Sequence, residues 1–209
     1  MTPDEFQTAL NVSRETLDRV RVHIDILRQW QEKINLVGRG TLDHIWLRHV
    51  FDSAQLLPLL PAGATRLVDL GSGAGFPGLV LAILGVPEVH LIESDQRKAA
   101  FLREAARLTK TKITIHNARI EQVAPFAVDV VTSRALASLE KLIEYSEPFL
   151  KLGGVCLFPK GKNWQDELTA AEKKWKMHLE TLPSRSDPDG IILRIDEVRR
   201  VHGNPDRSP

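Results

Sequence analysis

The sequence predicts an α/β fold in which a mostly parallel sheet follows a layer of N-terminal helices. Three observations predict it. In residues 1–60 the apolar side chains recur every three or four residues, which is helical spacing. From residue 66 onward, short β-branched runs alternate with helix-length segments, the pattern of parallel βαβ units. Two final apolar runs flank the turn Asp187-Pro188-Asp189-Gly190, which predicts a closing antiparallel pair.

The N-terminal residues predict three helices. Thr2 can cap a short helix that ends near Leu10, and Ser13 begins a second helix with one apolar face. Gly38 and Gly40 end this second helix. We expect Thr41 to cap a third helix that runs to residue 57, after which prolines and a glycine break the chain.

The remaining residues predict strands and helices in alternation. We expect strands at 66–70, 89–93, 113–116, 128–132 and 155–159, with helices at 78–84, 96–108, 136–150 and 164–178. Antiparallel strands at 179–182 and 191–198 would close the sheet. This organisation divides the chain into a helical extension, 1–60, a main domain, 61–203, and a tail, 204–209, that we expect to be disordered.

Composition limits the classes of protein that this chain can be. It has 209 residues, 43% of them hydrophobic and 26% charged, with a net charge of +1, values that are ordinary for a globular domain. The single Cys156 cannot form an intramolecular disulfide, and the N-terminus lacks the apolar run of a signal peptide. No segment approaches the roughly 18 apolar residues of a membrane span. We therefore expect a cytoplasmic protein that contacts no membrane.

A glycine-rich loop follows the first predicted strand. Residues 69–78 read Asp-Leu-Gly-Ser-Gly-Ala-Gly-Phe-Pro-Gly, and glycines there let a ligand approach the main chain at the sheet edge. The dinucleotide fingerprint requires glycine at the sixth position of the loop, where this chain has Phe76. Because the P-loop Lys-Ser/Thr pair is also absent from the loop, the pattern does not favour phosphate cradling.

Acidic residues near the ends of the first two strands favour a nucleoside ligand that is not a dinucleotide. Glu93 ends the second strand, where a carboxylate can accept hydrogen bonds from both ribose hydroxyls. Asp69 precedes the loop and can contact loop amides or a methionine amine. The pattern is typical of S-adenosylmethionine-dependent methyltransferases, with a dinucleotide enzyme and an inactive nucleotide-binding fold as the alternatives. Each residue also has a purely structural alternative: Glu93 can cap a helix, and Asp69 can be a strand-end carboxylate whose hydrogen bonds are satisfied within the protein.

The residues after the fourth strand bear on the methyl acceptor. Adenine amino-methyltransferases usually carry an Asn/Asp-Pro-Pro-aromatic tetrad there, but residues 132–135 read Thr-Ser-Arg-Ala. Cytosine C5 chemistry needs a cysteine nucleophile, whereas Cys156 lies within an apolar run. A ring nitrogen with a free lone pair, such as guanine N7, needs neither a base nor a nucleophile, since alignment supplies most of the acceleration.

The motifs together resemble one family. Over residues 25–200 the chain resembles the bacterial glucose-inhibited division protein B family, also called RsmG, the small-subunit 16S ribosomal RNA guanine-N7 methyltransferases. The resemblance rests on Asn35-Leu36, Arg48-His49-x-x-Asp52-Ser53, the loop 69–78, Glu93-Ser94, Lys98-x-x-Phe101-Leu102, Ser133-Arg134-Ala135 and Lys160-Gly161.

The resemblance implies a Rossmann-like class I methyltransferase sheet and a set of site residues. It implies that Glu93 contacts the ribose. It also implies that Arg134 lies at the methyl-transfer edge, where it is both the catalytic residue and a cofactor contact. The other implied S-adenosylmethionine-binding residues are Asp69, Gly71, Gly73, Gly75, Phe76, Ile120 and Glu121. The implied partner is 16S ribosomal RNA or the small ribosomal subunit. We expect a monomer that binds no metal.

A basic segment predicts contact with RNA phosphates. Residues 97–119 hold seven basic side chains and one acidic side chain, Glu104, although the whole chain is almost neutral. A solvated helix face is the alternative reading. We expect RNA contacts from Arg48, Arg97, Lys98 and Lys160. Two other functions remain open: a ribosome-assembly factor that transfers no methyl group, and a methyltransferase for a small molecule.

Overall fold

Seven strands form one sheet in the computed structural model, which describes residues 1–201. The strands are β1 (Arg66–Leu70), β2 (Glu88–Ile92), β3 (Thr114–His116), β4 (Val128–Ser133), β5 (Leu150–Lys160), β6 (Trp175–Pro183) and β7 (Ile191–Arg200). Their order is β3-β2-β1-β4-β5-β7-β6. The first five strands are parallel, and β7 pairs antiparallel with both β5 and β6. The predicted α/β class, with antiparallel final strands, is confirmed.

Seven α-helices accompany the sheet in residues 1–201. They are α1 (Pro3–Leu10), α2 (Arg14–Gln31), α3 (Asp52–Ala54), α4 (Gly78–Ile83), α5 (Gln96–Leu108), α6 (Leu139–Ser146) and α7 (Trp164–Ala171). Thr2 and Glu5 form a capping box on α1, and the Ser13 hydroxyl caps α2, as the sequence predicts. None of these helices has the length and apolarity needed to cross a membrane.

Alternating side chains of the parallel strands enter two hydrophobic cores. Leu67 and Val130 face a core built with α1, α2, α4 and α5, whereas Val68 and Val131 face a core built with α6 and α7. Both faces of the parallel sheet are therefore covered. The core against α2 and α5 also buries Phe6, so the N-terminal helices share a core with the sheet. The expected division at residue 60 stays a prediction, and the expected tail at 204–209 lies outside the described residues.

The prediction of one continuous third helix from Thr41 to residue 57 is wrong. The segment contains a 3-10 helix, Arg39–His44, a π-helix, Trp46–Phe51, the short α3 and a second 3-10 helix, Leu57–Leu59. Thr41 does not cap it: its hydroxyl donates to the Gly38 carbonyl at 2.7 Å. We attribute its irregular path to the contacts that His49 and Asp52 make with Arg134, described below.

Several predicted boundaries are also wrong. Helix α2 ends at Gln31, before the two glycines expected to end it, and β5 begins at Leu150, the last residue of the predicted helix 136–150, so α6 is shorter than expected. Helix α7 ends at Ala171, and β6 begins at Trp175. The side chains of Trp175, Met177 and Leu179 are less exposed than those between them, which is strand periodicity.

Candidate functional site

The glycine loop, residues 71–78, joins β1 to α4 at the carboxyl end of the parallel strands. Gly71, Gly73 and Gly75 have φ angles of +69°, +52° and +84°, a region that favours glycine. A Cβ atom on Gly75 would lie 2.8 Å from Leu79 Cβ, so the loop lies tightly against α4. A Cβ on Gly73 would meet no heavy atom closer than 3.9 Å. The loop therefore leaves its main chain open to a ligand at Gly73.

Asp69 holds the base of this loop from within the protein. It is fully buried, and its carboxylate accepts hydrogen bonds from the Gly78 amide at 3.2 Å and the Thr132 hydroxyl at 2.9 Å. Burial raises the pKa of Asp69 to about 6, although these hydrogen bonds act in the opposite direction. The expected contact with a loop amide is thus present at Gly78, but the buried carboxylate has no surface for the other expected contact, a methionine amine.

Glu93 connects the loop to the end of β2. Its Oε2 accepts a hydrogen bond from the Gly73 amide at 2.8 Å, and its Oε1 accepts one from the Asp95 amide at 2.8 Å. Each carboxylate oxygen keeps a further lone pair for a ligand hydroxyl. Glu93 lines a cavity of about 250 Å³, and its walls include other predicted cofactor residues: Gly71, Gly73, Ile120, Glu121 and Arg134.

The far wall of this first cavity is the 3-10 turn Ile120–Gln122, which follows β3. Glu121 accepts a hydrogen bond from the Tyr145 hydroxyl at 2.7 Å. A backbone hydrogen bond within Glu121, and then this bond from Tyr145, lower the pKa of Glu121. The structure thus brings residues predicted from four separate segments to one cavity.

Phe76 lies on the other side of the loop, in a second cavity of about 360 Å³. Its ring centroid is 5.1 Å from the centroids of both His23 and His49. His23, on α2, is fully buried, and its Nε2 lies 2.9 Å from the Ala74 carbonyl oxygen. The N-terminal helices therefore support the glycine loop directly. Gly75 lines neither cavity and shapes the loop only.

Arg134 lies where the two cavities meet and contacts the N-terminal segment. Its Nη1 donates to the Arg48 carbonyl at 3.0 Å and to Asp52 Oδ2 at 3.2 Å. Its Nη2 lies 2.7 Å from His49 Nδ1, and its guanidinium carbon is 5.3 Å from the centroid of the Phe76 ring. The predicted catalytic residue is thus fixed by four contacts from two separate segments.

The hydrogen bonds around His49 determine its tautomer. The guanidinium of Arg134 can only donate, so His49 Nδ1 is the acceptor. The Thr41 hydroxyl donates to the Gly38 carbonyl, so at 2.7 Å from His49 Nε2 it accepts. Burial, and then the charges of Arg134 and Arg48, lower the pKa of His49 to about 3. His49 is therefore a neutral positioning group and not an available base.

A third cavity, of about 680 Å³, opens beyond Arg134. Its walls are the loop 134–138, the end of β5, the start of α7 and the β6–β7 turn at 184–190. Such a volume holds a nucleotide. Arg134 and Ala135 line all three cavities, so the cavities adjoin at the carboxyl end of the sheet, and together they are called the cleft below.

The four predicted RNA-binding residues differ in exposure. Arg48 forms an ion pair with Asp187 at 2.9 Å, and Arg97 is highly exposed on α5. Lys98 lines the first and second cavities, so it faces the cleft. Lys160 is mostly buried, and its Nζ donates to the Ala137 carbonyl at 3.0 Å and to Glu167 at 2.7 Å.

Sequence reasoning missed the polar residues that join the β6–β7 turn to the N-terminal segment. The Gln55 side chain accepts a hydrogen bond from the Arg185 amide at 2.7 Å, and the Ser186 hydroxyl donates to Asp52 at 2.5 Å. These contacts dock the β6–β7 turn on the N-terminal segment. The one available signal was Gln55 itself, a polar side chain within the run Ala-Gln-Leu-Leu.

Within residues 1–201, no group of three or more His, Cys, Asp or Glu side chains is placed to hold a metal ion. Cys156 is fully buried in β5, and burial raises the pKa of its thiol to about 12. The thiol is therefore not poised as a nucleophile.

Solved structures share this architecture. The ribosomal protein L11 methylase of Lactobacillus delbrueckii subsp. bulgaricus matches with a TM-score of 0.59 and 18% identity, over 72% of this chain and 77% of that chain. Aeropyrum pernix fibrillarin, solved with natively bound S-adenosyl-L-methionine, matches with a TM-score of 0.55 and 16% identity, over 72% and 75% of the two chains. The fold is that of the class I methyltransferases.

Sequence relatives are much closer. The "Ribosomal RNA small subunit methyltransferase G" of Paramagnetospirillum magneticum is 56% identical over 205 residues, 98% of this chain and 100% of that protein. The protein of the same name from Rhodospirillum centenum is 59% identical over 194 residues, 93% of this chain and 90% of that protein. A sequence profile described as "rRNA small subunit methyltransferase G" matches residues 17–187. The chain therefore belongs to the rRNA small subunit methyltransferase G family.

Proposed function

We propose that this protein transfers a methyl group from S-adenosylmethionine to N7 of a guanine in 16S ribosomal RNA. We place it in the cytoplasm as a monomer that acts on the small ribosomal subunit or its RNA. Membership of the family and the named relatives support the reaction class. The three adjoining cavities at the carboxyl end of the sheet support binding of both the cofactor and the acceptor.

The residues of the first cavity fit S-adenosylmethionine. Gly73 leaves its backbone uncovered, and the Glu93 carboxylate beside it has free lone pairs for the two ribose hydroxyls. Ile120 offers an apolar surface for an adenine ring, with Glu121 next to it, while Gly71, Gly75 and Phe76 shape the loop. Asp69 acts indirectly by fixing Gly78 and Thr132. When bound, the cofactor supplies an electrophilic methyl group on a positively charged sulfur.

Guanine N7 suits the chemistry of the surrounding side chains. N7 carries a lone pair and no hydrogen, so no proton leaves when the methyl group is transferred and no general base is needed. The titratable side chains closest to Arg134 offer none: His49 is neutral and engaged at both nitrogens, and Asp52 pairs with Arg134. Orientation of the acceptor then supplies most of the acceleration. We assign that orienting role to Arg134, which lines all three cavities.

Basic residues around the cleft support RNA binding. Arg97 is exposed at the start of α5, Arg48 lines the second and third cavities, and Lys98 lines the first and second. An acceptor nucleotide must leave its stack to reach the cleft, which costs a few kcal/mol that stacking and phosphate contacts must recover. Lys160 lines the third cavity and forms an ion pair there with Glu167.

The observation that carries the proposal is the position of open Gly73 beside Glu93, in a cleft shared with Arg134. The test is mass spectrometry of nucleosides from small ribosomal subunits lacking base methylation, after incubation with the protein and methyl-labelled cofactor. We expect label in 7-methylguanosine from one position of 16S RNA. Label on another atom or base, or no label in RNA, would contradict the proposal. Cofactor binding without transfer would instead support an assembly factor.

A further inference from the structure

The third cavity is lined by three carboxylates, and within residues 1–201 only one of them, Glu167, has an oxygen that accepts no hydrogen bond. Asp52 accepts hydrogen bonds from Arg134, Gln55 and Ser186, so both of its oxygens are engaged. Asp187 accepts from Arg48 through one oxygen and from the Asp189 amide through the other. In Glu167, Oε2 accepts both hydrogen bonds, whereas Oε1 has no hydrogen-bond partner within residues 1–201.

The surroundings of Glu167 fix which oxygen is open. Its Oε2 accepts from the Leu139 amide at 2.7 Å and from Lys160 Nζ at 2.7 Å. Lys160 itself is only 10% exposed, and its second donor hydrogen is directed to the Ala137 carbonyl at 3.0 Å. The carboxylate is therefore anchored on one side, while its side chain, 30% exposed, lines the cavity.

The open oxygen of an anchored carboxylate is a selective acceptor for a purine edge. Guanine presents two neighbouring donors on its Watson–Crick edge, N1–H and the 2-amino group, whereas adenine presents an acceptor at N1. Carboxylate acceptors form strong, charge-assisted hydrogen bonds with such donors. Guanidinium groups in the same cavity, on Arg48 and Arg134, can donate to the O6 atom that only guanine carries.

Resting on the proposed function, we infer that the third cavity holds the acceptor base and that Glu167 determines its specificity for guanine. Glu167 Oε1 accepts hydrogen bonds from N1–H and the 2-amino group of the guanine. Lys160 acts through Glu167, because it keeps Oε2 turned away from the base. This assigns Lys160 a positioning role next to its predicted contact with RNA.

The substitution Glu167→Gln tests this assignment without removing the anchor. Both anchoring groups are donors, so the oxygen of the new amide must face Leu139 and Lys160, and its NH₂ group must face the cavity. A donor would then oppose the donors of guanine. The matched control is Asp166→Asn, which removes an exposed carboxylate from the same turn of α7 and does not line the cavity.

The measurement compares two acceptors with each enzyme. Small subunits are reconstituted with 16S RNA that carries guanosine or inosine, which lacks the 2-amino group, at the methylated position, and kcat/KM is measured for both. We expect the unsubstituted protein and Asp166→Asn to prefer guanosine by roughly 10-fold to 100-fold, the effect of one charge-assisted hydrogen bond. With Glu167→Gln we expect this ratio to fall to about one and the kcat/KM for guanosine to drop.

The ratio is independent of the fraction of folded enzyme, because both acceptors are assayed with one preparation. An unchanged ratio in Glu167→Gln would overturn the role of Glu167, while the proposed function would stand. Failure of the unsubstituted protein to methylate the guanosine subunit would overturn the proposed function, and this inference with it. Equal loss of the ratio in Asp166→Asn would also overturn the inference, since a general charge effect would then explain it.

Discussion

The two ends of the parallel strands use the same kinds of residue for different purposes. At the amino end, Gly63 has a φ of +76° and faces open solvent, and Asp129 holds the Thr65 and Arg66 amides and pairs with Lys151. At the carboxyl end, Gly73 lines the cleft and Asp69 is fully buried. Glycine turns and buried carboxylates are thus common to the fold, and only their surroundings at the carboxyl end make a site.

The largest expected difference between the ends is in cofactor binding. Gly73→Asp places a second carboxylate beside Glu93 inside the first cavity, which costs several kcal/mol and weakens binding by roughly 1,000-fold or more. Gly63→Asp has a similar positive φ but faces open space. We expect titration calorimetry with S-adenosylmethionine to give no heat for Gly73→Asp and unchanged affinity for Gly63→Asp. Equal losses would mean that backbone strain, and not the cleft, explains the effect.

The second difference concerns two arginines that bind carboxylates. Arg134→Ala removes the side chain that lines all three cavities, and we expect kcat/KM for RNA methylation to fall roughly 100-fold. Arg66→Ala, at the amino end, removes an exposed ion pair with Glu88 and should change kcat/KM less than about twofold. Single-turnover methylation at saturating cofactor measures both. Transfer that survives Arg134→Ala with intact cofactor binding would contradict the assigned role.

The third difference is the sign of the pH dependence of stability. The folded-state pKa of Asp69 is raised to about 6, so between pH 4 and 6 the folded protein binds more protons than the unfolded chain. Its ionisation therefore destabilises the fold as pH rises, by on the order of 3 kcal/mol at pH 7. Relative to the unsubstituted protein, Asp69→Asn should gain stability from pH 4 to pH 7 in urea denaturation.

Asp129 should behave in the opposite way. Burial acts to raise its pKa, but hydrogen bonds from Lys151 and from the Arg66 and Thr65 amides outweigh burial and lower it to about 2. Its charge therefore stabilises the fold above pH 4, and this contribution is lost as pH falls towards 2. Asp129→Asn should thus be destabilised at neutral pH. If the free energy of unfolding of the two Asn variants changed with pH in the same direction, the predicted difference between the two carboxylates would be contradicted.

The smallest expected difference lies within the basic segment. Arg97 lies in the first turn of α5, near the carboxyl ends of the strands. Lys112 follows the last turn of α5, near the amino ends of the strands, about 20 Å away along a 13-residue helix. Arg97→Glu should raise KM for the small subunit about threefold to tenfold at low salt and reduce the salt dependence. Lys112→Glu should have a smaller effect. A larger effect at Lys112 would place the RNA on the other end of the segment.

Local sequence predicted the parts of the fold that local forces determine. The bounds of β1 and α5 agree with their predicted residues, because each is a regular apolar pattern flanked by breaking residues. The turn of the glycine loop after β1 and the position of Glu93 after β2 were predicted as well, since the glycines and the acidic residue are visible in the sequence itself. Their proximity at one cavity follows from parallel strands, whose carboxyl ends share an edge.

The rest depends on contacts between distant segments. Arg134 binds His49 and Asp52, which are 85 and 82 residues away, and Ser186 binds Asp52 across 134 residues. Such partners leave no periodic signal, so neither the neutral state of His49 nor the docking of the β6–β7 turn could be read from sequence. We attribute the irregular helical turns of residues 39–59 to contacts of the same kind, since tertiary contacts can override helix propensity.

The most direct test of the central claim is a crystal structure of the protein with S-adenosylhomocysteine, the demethylated form of the cofactor. We predict density for the nucleoside at the carboxyl end of the strands, with its main-chain approach at Gly73 and its ribose hydroxyls on the Glu93 carboxylate. Ordered ligand at any other place, or a ribose that makes no contact with Glu93, would contradict the claim.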